Sequence, residues 1–100
     1  MPRYWISFDL GLQGDYEPLY EWLDRHEALE CGDSVATLRS GSSREQIGRQ
    51  LAALLKGQKN ARVYIIAMEK GVGRFVLGKR RASPPWKGYA AAESSAGDEA

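Results

Sequence analysis

Arg3-Tyr-Trp-Ile-Ser-Phe-Asp-Leu10 is the stretch that decides how the rest of the chain is read. Tyr4, Ile6, Phe8 and Leu10 alternate with Trp5, Ser7 and Asp9, the period-two pattern of a strand with one face turned to a core. Gly11-Leu-Gln-Gly14 then breaks the chain, with Asp15 as an N-cap and Pro18 tolerable in a first helical turn. Tyr16, Leu19, Tyr20 and Leu23 recur at helical spacing, predicting a first helix that runs to Glu27 or Leu29. Ser34 to Leu38 is strand-like, and Gly32-Asp33 before it marks a bulge or a break between two short strands.

Ser42-Ser-Arg-Glu45 and Ser43-Arg-Glu-Gln46 are overlapping capping boxes ahead of Ile47, Leu51, Leu54 and Leu55, with Gly57 as the stop. Arg62 to Met68 is rich in β-branched and aromatic residues and predicts a strand. A turn over Glu69–Gly73 leads to a short strand from Arg74 to Leu77. Strands alternating with helices predict an α+β sandwich, ferredoxin-like, β-α-β-β-α-β, with room for an extra C-terminal strand. The domain is expected over residues 1–78. Residues 79–100 are expected to be a tail, basic and aromatic at first, then low-complexity and disordered from Ala90.

The 100 residues are enough for one domain, with 43% hydrophobic and 27% charged residues. The longest apolar run, Val63 to Met68, falls far short of the roughly 20 residues a bilayer demands, so no membrane span is expected. Met1-Pro2-Arg3 leads straight into the first strand without a leader-like segment, and a cytoplasmic protein is expected. Cys31 is the single cysteine, which excludes an intramolecular disulfide.

The net charge of +1 hides a polarised chain. Residues 1–40 hold eight acids and three bases, whereas residues 41–87 hold two acids and eleven bases. Arg44, Arg49, Lys56, Lys59, Arg62 and Arg74 come from the second helix, its exit and the last strands. Lys79, Arg80, Arg81, Trp86, Lys87 and Tyr89 follow in the tail. Lys and Arg neutralise phosphates and aromatic rings stack on exposed bases, so a nucleic-acid partner is expected. The alternative is a solvated helix face and a fold that brings the two blocks together.

If both helices cover one face of the sheet, the other face carries Tyr64, Ile66, Met68 and Trp5. Such a patch predicts a homodimer that packs sheet on sheet or joins strands. The alternative is that Trp86 and Tyr89 fold back over it. Asp9, at the end of the first strand, stands where carboxylates commonly enter a crevice. One carboxylate holds Mg²⁺ poorly, but a two-fold axis beside Asp9 would supply two, with Ser7 adding an oxygen or holding a metal-bound water. The competing reading has Asp9 capping the loop that follows it. Gly11-x-x-Gly14 lacks the further residues of a phosphate-binding loop and reads as a turn. His26 has no second histidine for a metal motif, and Cys31 has no base nearby.

Tyr4-Trp-Ile-Ser-Phe-Asp9, Asp33-Ser-Val35 and Arg62-Val-Tyr-Ile-Ile66, separated by helices, resemble the small CRISPR-associated "Cas two" family and the virulence-associated protein D ribonucleases. The likeness spans residues 3–78. It implies a ferredoxin-like fold, a sheet-to-sheet dimer, and a first-strand Asp from each subunit on a divalent metal. It also implies nuclease activity or a DNA-binding scaffold role. Asp9 matches the family Asp and Ser34-Val35 its Ser-Val pair. Ala36-Thr37-Leu38 replaces the aromatic and acid that often follow in that family. The loop after Asp9 also lacks the family's second Asp and basic pair.

The leading expectation is a Mg²⁺-dependent nuclease acting on RNA or DNA phosphodiesters, with an Asp9 pair at the dimer axis and Ser7 beside it. The nucleic-acid contacts are expected from Arg44, Arg49, Lys56, Arg74, Lys79, Arg80 and Arg81. Two other readings stand beside it. One is a non-catalytic nucleic-acid-binding dimer. The other is a protein-interaction module with a protein partner, such as a toxin–antitoxin or phage accessory component.

Overall fold

In the computed structural model, which describes residues 1–90, five strands and two helices form a mixed α+β unit. Their order is β1 (Arg3–Asp9), α1 (Glu17–Arg25), β2 (Leu29–Glu30), β3 (Val35–Arg39), α2 (Arg44–Leu54), β4 (Arg62–Ala67) and β5 (Val72–Leu77). The strands make one sheet in the order β2-β3-β1-β4-β5. Every neighbouring pair is antiparallel. The tail expectation from Ala91 onward lies outside the described residues, whereas residues 79–88 hold no strand or helix, only bends at 82–83 and turns at 85–88.

The alternation in β1 works as the pattern predicts. Tyr4, Ile6 and Phe8 are buried, while Ser7 is exposed and Trp5 and Asp9 are half-buried. Val63, Ile65 and Ala67 of β4 extend the buried face. Leu19, Trp22 and Leu23 from α1, and Ile47 and Leu51 from α2, join the same core cluster. Each large apolar side chain buried there contributes about 1.5–3 kcal/mol. Trp22 also ties the helices together, its indole N–H donating to Gln50 Oε1 at 3.0 Å. Gly48 lets α2 approach β5 closely, because a Cβ there would lie 2.8 Å from Val76 Cγ1.

Several boundaries differ from the sequence expectation. Helix α1 ends at Arg25 rather than Glu27 or Leu29, because Glu27 adopts a left-handed φ of 55°. The Glu27 and Ala28 N–H groups donate back to the Asp24 and Leu23 carbonyls, closing the helix without a glycine. Its N-cap is Tyr16. Tyr16 makes no side-chain cap, and Asp15, one residue before it, accepts the Glu17 N–H at 3.1 Å. Tyr20 points outward at 52% exposure, since Trp22 takes the buried stripe with Leu19 and Leu23. Leu54 is 39% exposed, not core. Of the two capping boxes, Ser43 with Gln46 is the one that forms. Gly32 and Asp33 mark a break between β2 and β3, not a bulge. Strand β5 begins at Val72, two residues before Arg74.

Candidate functional site

The sheet face away from the helices carries the chemistry. β1 places Ser7 and Asp9 on it, and the antiparallel register sets Ser7 opposite Tyr64 and Asp9 opposite Arg62. Asp9 Oδ1 accepts the Gly11 N–H at 2.9 Å, so the carboxylate caps its own loop. Its Oδ2 takes Arg62 Nη2 at 3.1 Å and lies 3.9 Å from Arg81 Nη2. The Gly11 N–H and the Arg62 guanidinium hold the Asp9 carboxyl below the usual carboxylate range, against the opposing effect of burial.

The loop beyond Asp9 is firmly held. Gly14 N–H donates to Gly11 O at 3.2 Å, the turn that the two glycines predict. Asp15 and Gln58 exchange two hydrogen bonds of 2.9 and 3.0 Å, which pin this loop to the α2–β4 connection. Lys59, next in the chain after Gln58, lines the same cleft as Asp9. The cleft, of about 830 Å³, is lined by Asp9, Lys59, Arg62, Lys79, Arg80 and Arg81, with Asn60 and Ser83 among its polar walls. Five cations and a single carboxylate line it, and two of the cations, Arg62 and Arg81, face that carboxylate.

Arg80 is seated on the sheet. Its guanidinium carbon stands 5.2 Å from the Tyr64 ring centroid and 5.5 Å from that of Phe75, and Nη2 donates to Tyr64 Oη at 3.2 Å. The two rings meet edge to face at 4.9 Å. Gly73 makes the seat, since a Cβ there would come within 2.2 Å of the Tyr64 ring. Ser7 lies in a smaller recess of about 240 Å³ with Asp9, Arg62, Tyr64, Phe75 and Arg80.

The structure thus gathers Asp9, Ser7, Lys79, Arg80 and Arg81 from the predicted set, and separates the others from them. Arg44 is a correction: it is buried, and Nη1 donates to Val72 O at 2.9 Å, fastening α2 to β5 rather than offering a phosphate contact. Arg49, Lys56 and Arg74 are exposed but line no part of the cleft. Lys59 and Arg62, two of the chain's many cations, become site residues through the α2–β4 connection and the β1–β4 register. Neither feature has a local sequence signal.

Within one chain, Asp9 already faces two guanidinium groups, which would oppose a further positive charge. Among the described residues, no three His, Cys, Asp or Glu side chains gather into a metal-holding group.

The far side of the sheet face is apolar and open. Ile66 is 36% exposed and Met68 56% exposed, with Trp5 and Tyr64 half-buried beside them. Arg80 covers Tyr64 from the tail, yet Trp86 and Tyr89 stay 71% and 73% exposed rather than folding over the patch. No helix among the described residues is long and apolar enough to cross a membrane. The chain matches no protein-family model, no curated protein and no solved structure.

Proposed function

We propose that this chain binds nucleic acid through the basic cleft beside Asp9, working as a homodimer built on the open sheet face. The observation that carries the reading is the convergence of Lys59, Arg62, Lys79, Arg80 and Arg81 on one cleft that holds a single acid. A phosphate chain is the polyanion that repays such a cluster, by releasing its condensed counterions. Arg62 and Arg80 are already held by Asp9 and by the Tyr64–Phe75 rings, so less side-chain freedom is lost on binding. The apolar patch of Trp5, Ile66 and Met68 supports the dimer, because exposed patches of that kind favour association.

The strand order and the placement of both helices against one face support a ferredoxin-like arrangement with β5 added outside β4. The resemblance to the small CRISPR-associated family, and a cytoplasmic location, belong to the same proposal. Cutting of the bound phosphodiester is the second reading, favoured by the position of Asp9 inside the cleft that would hold the phosphates.

The test is a gel-shift and cleavage assay run together, on labelled single-stranded RNA and duplex DNA, in EDTA and in Mg²⁺ or Mn²⁺. The expected result is a shift in EDTA, weakened by salt, with the nucleic acid intact. Metal-dependent cutting lost in Asp9→Asn would replace binding with the nuclease reading. No shift at low salt would overturn both and leave a protein partner as the remaining reading.

A further inference from the structure

The cleft changes character beyond Arg81. Residues 84–89 make two successive turns, in which Lys87 N–H donates to Pro84 O at 3.0 Å and Tyr89 N–H to Trp86 O at 3.1 Å. Pro84, Pro85 and Trp86, with Phe75, Arg62, Arg80 and Arg81, border a recess of about 500 Å³ that shares Asp9 with the basic cleft. Its size falls in the range of about 300–1,000 Å³ typical of small-molecule sites. Trp86 presents an indole that is 71% exposed at the rim of this recess.

We infer that the recess takes an unpaired nucleobase of a single-stranded nucleic acid, stacked on Trp86, while the adjoining phosphates lie on Arg62 and Arg81. This inference rests on the phosphate-binding reading and adds the class of strand. Two observations select the occupant. The recess joins an aromatic wall to guanidinium groups, and a nucleotide carries a flat π-face and an anion at matching proximity. A paired base keeps its faces against its neighbours and is offered only after costly unstacking, so a duplex leaves the indole unused. Arg80 is committed to Tyr64 and Phe75, which leaves Trp86 as the open aromatic surface in the recess.

Trp86 lies outside the sheet and both helices, so its replacement leaves the core intact. The experiment measures fluorescence anisotropy of the full chain with oligothymidylate, oligouridylate and an abasic deoxyribose-phosphate chain, each about 12 nucleotides, and with a duplex. Wild type, Trp86→Ala and Trp86→Phe are compared in EDTA. Trp86→Ala is expected to weaken oligothymidylate and oligouridylate about tenfold while leaving the abasic chain and the duplex unchanged. Trp86→Phe is expected to recover most of the loss. A tenfold loss on only one of the two oligonucleotides assigns the recess to DNA or to RNA and supports the inference. Equal affinity of wild type and Trp86→Ala for every probe, or a parallel loss on the abasic chain, would overturn the base site while phosphate binding stands. Failure of wild type to bind any probe would overturn the phosphate reading itself.

Discussion

Asp9 and Arg62 stand directly opposite one another in the β1–β4 register, and Arg62 Nη2 reaches Asp9 Oδ2 at 3.1 Å across that pair. The pairing turns a carboxylate that would suit a metal into the counter-charge of a cationic cluster. It also holds Arg62 at the cleft wall. Both partners are partly exposed, at 44% and 30% of their side chains, so solvent screens the bond and its worth lies in position more than in stability.

Asp9→Asn therefore makes a distinctive prediction. The variant keeps an oxygen for the Gly11 N–H but removes the one negative charge from the cleft. Affinity for nucleic acid in EDTA is expected to rise, by up to about fivefold, since one charge at about 4 Å in water is worth about 1 kcal/mol. Anisotropy titration of both proteins measures it. A loss of binding would mean that Asp9 holds the ligand, directly or through a cation.

The depressed Asp9 carboxyl also sets an acid limit. Its folded-state value lies below the unfolded value of about 3.9. The stability it adds is thus fully present above that unfolded value and is lost as pH falls through the lower folded one. Urea unfolding between pH 6 and pH 2 is expected to show a shallower acid decline in Asp9→Asn than in wild type. Parallel curves would show that the pairing with Gly11 and Arg62 is not maintained in solution.

Gly73 supports the cleft from beneath. A methyl group there collides with the Tyr64 ring, which carries Arg80. Gly73→Ala is expected to cost about 1–3 kcal/mol in urea unfolding, as overpacking does. It should also weaken nucleic-acid binding, because the seat of Arg80 moves. A stable variant with unchanged binding would detach Arg80 from the site.

The open sheet face predicts association. Sedimentation of wild type at micromolar concentration is expected to give a dimer, and Ile66→Lys a monomer of unchanged helix content. A monomeric wild type would leave the patch of Trp5, Ile66 and Met68 without its proposed role.

Much of the fold was legible in local chemistry. The alternation in Tyr4–Leu10 located the central strand and its buried face, and Ser43 with Gln46 located the start of α2. The end of α1 was not legible, because Glu27 takes a left-handed conformation that sequence reading reserves for glycine or asparagine. The site divided in the same way. Asp9 and the Lys79–Arg81 run stood out by position and composition. The partnership of Asp9 with Arg62 depends on a strand register fixed by tertiary packing over 53 residues of separation. Arg44 resembled the other cations in sequence, and only its burial against Val72 O distinguishes it.

The salt dependence of nucleic-acid binding, measured in EDTA for wild type and for the triple variant Lys79→Ala, Arg80→Ala, Arg81→Ala, tests the cleft most directly. Affinity of wild type is expected to fall steeply with salt, and the variant to bind more weakly with a log–log slope shallower by roughly 2. Equal slopes and affinities in the two proteins would contradict the account, because the phosphates would then be held somewhere other than the cleft beside Asp9.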